Sequence, residues 1–107
     1  MAPTPIEPAV GHNMVRLTAT VIARDTLRFT PAGVPILALT LEHESTQLEA
    51  KLPRLVHATV EAVAIGEVAR EMDRMALGKV ITASGFLANR SRRSTRLVLH
   101  VNEFETH

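Results

Sequence analysis

A chain of 107 residues with 46% hydrophobic and 21% charged side chains has room for one domain with a buried core. It has no Cys, which excludes disulfides, thiolate metal sites and a Cys nucleophile. No stretch approaches the ~20 apolar residues of a membrane span, and MAPTPIEP has neither the basic nor the apolar region of a secretory signal. The net charge of +1 conceals an uneven distribution. Residues 1–73 carry six Lys/Arg and nine Asp/Glu, whereas residues 74–102 carry six Lys/Arg and no acid. A long acid-free run of this kind points to a surface for anions.

Pro3, Pro5 and Pro8 rule out a helix or a central strand over the first twelve residues, so 1–12 is expected to be a flexible Pro-rich arm and 13–107 the folded domain. From Met14 the pattern has period two. Val15, Leu17, Ala19, Val21 and Ala23 share one face and Arg16, Thr18, Thr20 and Arg24 lie among the others, which predicts a first strand. Thr30-Pro31-Ala32-Gly33 makes a turn, with Pro presetting φ and Gly accepting positive φ. Leu37, Leu39 and Leu41 define a second strand ending near His43, and the polar residues 44–51 read as a loop. Pro53 opens a third strand with Val56, Ala58 and Val60 inward and His57, Thr59 and Glu61 outward.

The period then changes. Val68, Met72 and Met75 form one helical stripe over residues 67–76, between Gly66 and Gly78. Val80, Thr82, Ser84 and Phe86 alternate with Ile81, Ala83 and Leu87 in a fourth strand, with Phe86 assigned to the core. Residues 89–95 read as a basic hairpin loop, and Leu97, Leu99 and Val101 alternate with Val98, His100 and Asn102 in a fifth strand. Five strands with one short helix between the third and fourth suit an all-β, five-stranded Greek-key barrel of the oligonucleotide-binding (OB) type. A sandwich would need about seven strands.

Common enzyme signatures are missing. There is no G-x-x-x-x-G-K-[ST], no G-x-G-x-x-G and no G-x-S-x-G. His43-Glu44 begins an H-E-x-x-H, but position 47 is Gln. No two of the five His lie within four residues, so no local metal pair is visible and no metal or cofactor is expected. The strongest local feature is R-S-R-R-S-T-R, with Arg90, Arg92, Arg93 and Arg96 at the tip and flank of the last hairpin. The planar fork of Arg donates in pairs to phosphate oxygens, and in an OB barrel this loop flanks the oligonucleotide groove. Stacking platforms are scarce: Phe29 at the first turn is a candidate for exposure, and Phe104 is unassigned.

Asn13–Val21, the run Thr30-Pro31-Ala32-Gly33-Val34-Pro35, Leu41-Glu42-His43 followed by Ser45, Gly85-Phe86-Leu87 and Val98-Leu99-His100 together resemble the primosomal replication protein N (PriB) family, relatives of the single-stranded DNA-binding proteins. The resemblance runs from about Asn13 to Glu105. It implies an OB fold, a homodimer, single-stranded DNA binding and a cytoplasmic, nucleoid-associated role in bacterial replication restart. It also implies bridging of a primosomal helicase and a helicase-loading protein, with no catalysis. Carried over position by position, it implies DNA contacts at Arg28, Arg54, Arg93 and Arg96, with Arg90 and Arg92 adding charge beside them. Three positions depart from the family. Leu52 and His57 stand where it can carry aromatics, and Glu44 stands where it has a basic residue.

Two readings of different class remain open on the residues: a single-stranded DNA-binding accessory protein, and a protein-interaction adaptor that binds DNA weakly or not at all. The basic loop favours the first, and Glu44 with the lost aromatics favours the second. Arg28, Arg54, His57 and the Arg90–Arg96 cluster are expected to line one continuous surface. A first strand with apolar positions on both faces, such as Val21 and Ile22, favours a two-fold homodimer.

Overall fold

The computed structural model describes residues 11–107. Most of the expected Pro-rich arm lies outside the described residues. The elements are β1 (Val15–Arg24), β2 (Arg28–Phe29), β3 (Pro35–Glu49), β4 (Leu52–Ile65), α1 (Glu67–Asp73), β5 (Val80–Asn89) and β6 (Leu97–Thr106). The sheet runs β1-β5-β6-β4-β3-β2, and a further β1–β3 pairing closes it into a five-stranded barrel. All neighbours are antiparallel except β4 and β6, which pair in parallel through Ala62–Leu99, Val63–His100 and Ala64–Val101. The expected strands, helix position and barrel class are all present, with β2 as a two-residue addition. Among the described residues no helix is long and apolar enough to cross a membrane.

Alternation explains the core. Ala19, Val21, Leu37, Leu39, Leu41, Ala62, Ala64, Ile81, Ala83, Leu99 and Val101 point inward, and Ala69 and Met72 of α1 join them. Five of these residues are Ala and none is aromatic, although Phe104 packs against the cluster. Arg24 holds the helix in place. Its guanidinium donates to the carbonyls of Met72 and Met75 and lies 4.0 Å from Asp73, where a cation meets the negative end of the helix.

Three expectations change. Residues 44–51 are not a loop: β3 continues to Glu49, Ala50-Lys51 makes a two-residue turn, and β4 starts at Leu52. Both turn residues have positive φ, 51° and 67°, the sign pair of a type I′ hairpin turn. The result is a ribbon paired without interruption from Ile36–Ile65 to Glu49–Leu52. Second, Phe86 is not a core residue. The inward set on β5 is Ile81, Ala83 and Leu87, so Phe86 faces outward, where its ring stacks on that of His100 with centroids 4.8 Å apart. Third, a register shift after Val21 turns Ala23 out of the interior that the strict alternation assigned to it.

A close approach between β5 and β6 explains Gly85. A Cβ there would lie 1.7 Å from the carbonyl oxygen of His100, at the register shift between Ser84 and Gly85. Only a residue without a side chain permits this crossing.

Candidate nucleic-acid interface

Odd-numbered residues of β4 from Leu55 to Ile65 face away from the barrel axis, as do even-numbered residues of β3 and the even positions 98 and 100 near the start of β6. Register therefore assembles rows across the outer surface. Ala38, Val63, His100 and Phe86 make one, and Thr40, Glu61, Val98 and Ala88 make the next. Ala38, Val63 and His100 of the first and Thr40, Glu61 and Val98 of the second floor a groove of about 500 Å³. Its walls are Arg24, Asp25 and Arg28 on the β1–β2 side and Arg90 on the β5–β6 side, and Ile36 and Ile65 extend the apolar floor.

The basic loop is a closed structure. Arg90 N–H donates to Arg96 O (2.9 Å), Ser94 N–H to Ser91 O (3.2 Å) and Arg96 N–H to the Ser94 hydroxyl (3.1 Å). This leaves two arginines at the base and two at the tip. The base pair meets one carboxylate: Arg96 grips Glu61 with two nitrogens, Nε at 3.2 Å from Oε2 and Nη2 on Oε1, and Arg90 Nη1 stands 3.7 Å from the same Oε1. Among the described residues, Arg92, Arg93 and Arg28 have no carboxylate within ion-pair distance.

Of the expected site residues, the fold brings Arg28 and Arg90 to the groove itself and Arg96 to its rim through Glu61. His57 shares the outward face, two outward positions beyond Glu61 along β4, with its Nε2 3.9 Å from Glu42. Arg54 does not join them. It is three residues from His57 on one strand, which puts it on the opposite face of the ribbon, and its Nη1 is 3.1 Å from Glu49 beside the turn. Sequence reading missed Glu61 as the partner of two arginines. Its only signal was an outward acid on the third strand. The Phe86–His100 stack was also missed, although the placement of Ile81, Ala83 and Leu87 on the other parity contained it.

His43 and His107 have structural settings. His43 Nδ1–H donates to Thr18 O (2.6 Å) and its Nε2 accepts from the Ser45 hydroxyl (2.7 Å), which ties β1 to the ribbon. His107 Nε2 lies 2.6 Å from the Thr82 hydroxyl, which in turn meets Thr18. Asn13 adds one rung to the β1–β5 ladder with its amide, donating to Leu87 O (2.7 Å) and accepting from Leu87 N–H (2.9 Å).

Residues 13–103 match a family model described as another single-strand binding protein family. The replication restart protein PriB of Nitrosomonas europaea is 36% identical over 104 residues, covering 96% of each chain. That of Bordetella pertussis is 40% identical over 91 residues, covering 85% of each. The chain belongs to the PriB family of replication restart proteins. A solved PriB from Ralstonia solanacearum superposes with a TM-score of 0.83 at 38% identity, over 91% of this chain and 99% of that one. The single-stranded DNA-binding protein of Thermus aquaticus shares the fold, with a TM-score of 0.72 at 24% identity over 92% of this chain and 52% of that one. Within the PriB family frame, the groove between the β1–β2 segment and the Arg90–Arg96 loop is the surface whose chemistry needs explaining.

Proposed function

We propose that the chain binds single-stranded DNA in this groove and acts in bacterial replication restart. The observation that carries the reading is the pairing of an apolar floor with arginines on both walls. Bases can pack on Ile36, Ala38, Val63 and the His100 ring while the phosphates on either side meet Arg28 and the Arg90–Arg96 loop. His57 extends the track along β4. Arg54 takes part only where a strand wraps around the ribbon edge. The protein works as a homodimer in the cytoplasm, at the nucleoid, without catalysis, and links the primosomal helicase to the helicase-loading protein. The family relationship supports these last roles.

One observation favours an adaptor role alongside DNA binding. Leu48, Leu52 and Leu55, at the end of the β3–β4 ribbon, are 77%, 68% and 76% exposed, and Glu42 and Glu44 sit on its outer face. Such a surface suits protein contact better than phosphate.

The test is a salt titration of binding to oligo(dT). Each phosphate contact on a single strand contributes a slope of about −0.7 in log K against log salt. The three arginines without a carboxylate partner among the described residues, Arg28, Arg92 and Arg93, predict a slope near −2 per protomer. Arg93→Ala flattens it by about 0.7 and weakens binding equally for all sequences. A salt-independent affinity removes the groove reading, and a monomer mass by light scattering removes the dimer.

A further inference from the structure

Among the described residues two acids, Asp25 and Glu61, line the groove, and Glu61 is the one that meets the basic loop, occupying two of its four arginines. Arg96 holds it through two nitrogens, and Arg90 stands 3.7 Å from the same oxygen. A carboxylate held in this fork has the shape and charge that a phosphate presents to arginine. The Glu61 side chain is 40% exposed, so it has room to leave the fork. It pairs across the ladder with Thr40 and lines the groove together with Val98.

We propose that Glu61 is a built-in competitor for the phosphate site of Arg90 and Arg96, and so sets how tightly and how salt-sensitively this groove holds a single strand. The inference rests on the single-strand-binding reading above. A strand entering the groove must displace the carboxylate or pass over the two arginines without engaging them. In either case these arginines add little to the salt dependence. A phosphate that takes the fork releases its own cation, but the freed carboxylate acquires one, and the two changes cancel. Arg28, Arg92 and Arg93 then carry the measured slope, and Arg90 and Arg96 are held in reserve.

The experiment compares the full-length parent, Glu61→Gln, and Glu61→Gln combined with Arg90→Ala and Arg96→Ala, each titrated with oligo(dT) at several salt concentrations. Gln keeps the size and a hydrogen-bond acceptor while losing the charge. Removing one negative charge beside the strand is expected to tighten binding about threefold to tenfold at low salt. Releasing two arginines steepens the slope by about 1.4. Both gains disappear in the triple variant. Circular dichroism and the melting temperature establish that each variant is folded. If the parent binds and Glu61→Gln binds no tighter, or more weakly, the carboxylate does not compete and the inference fails while the single-strand reading stands. If neither the parent nor Glu61→Gln binds, both fall together. Gain without a change in slope also overturns the competitor role, because a general electrostatic effect would then account for it.

Discussion

Two hairpins leave the same barrel and differ in nearly every property. The β5–β6 hairpin ends in a seven-residue loop, Arg90 to Arg96, that its own backbone closes, with arginines at both base and tip. The β3–β4 hairpin ends in two residues, is exposed on both faces near its tip, and carries leucines and carboxylates. A loop with many backbone groups turned out of the ladder can aim several side chains at one anion. A tight ribbon can only present what alternation allows, one residue in two per face. The basic charge is therefore concentrated on the hairpin with the irregular end, and the regular one exposes leucines and carboxylates. The single acid at their junction, Glu61 on β4, couples them by holding the base of the basic loop.

The largest disturbance to this contrast comes from the crossing that lets β5 and β6 approach. Gly85→Ala places a methyl group against the backbone carbonyl of His100, so the strands must separate. A loss of about 3 kcal/mol or more in denaturant unfolding is expected, with the Arg loop losing its base. An Ala variant as stable as the parent means that the close contact relaxes at no cost.

A smaller effect is expected from giving the other hairpin a ring. His57→Trp, on the outward face beyond Glu61, is expected to tighten oligo(dT) binding by roughly 1–3 kcal/mol, the value of stacking one base, with no change in salt slope because no phosphate contact is added. Unchanged affinity would limit the strand to the groove and leave the whole ribbon to protein contact. The smallest effect concerns the ribbon's turn. Lys51 has a φ of 67°, where an L side chain is disfavoured and Gly is not. Lys51→Gly should raise stability by about 1 kcal/mol, read as a higher urea midpoint at constant m-value. A drop would show that the long Lys side chain contributes more than its backbone strain costs.

Much of the candidate site was legible because it is local. Four arginines in seven residues announce themselves, and Arg28 follows the strand that Val15–Val21 defines. Arg54 was grouped with His57 through the family resemblance, although their spacing of three on one strand already separates the two faces. The β3–β4 turn has no Asn-Gly or Gly-Gly signal. Ala50 and Lys51 accept positive φ only because fourteen consecutive rungs, from Ile36–Ile65 to Glu49–Leu52, support the ribbon.

Composition and period by themselves determined the strand order, the helix position, the barrel class and the acid-free basic segment, because each depends on residues close together in the chain. Tertiary structure alone decided three things. It decided which face of β5 is inside, since that strand is apolar on both, with Val80 and Phe86 out and Ile81 and Ala83 in. It decided where the register slips, at Val21 and at Gly85. And it decided that Glu61 meets Arg96 across 35 residues of chain, because only the parallel pairing of β4 with β6 brings an outward acid on one strand beside the arginine that precedes the other.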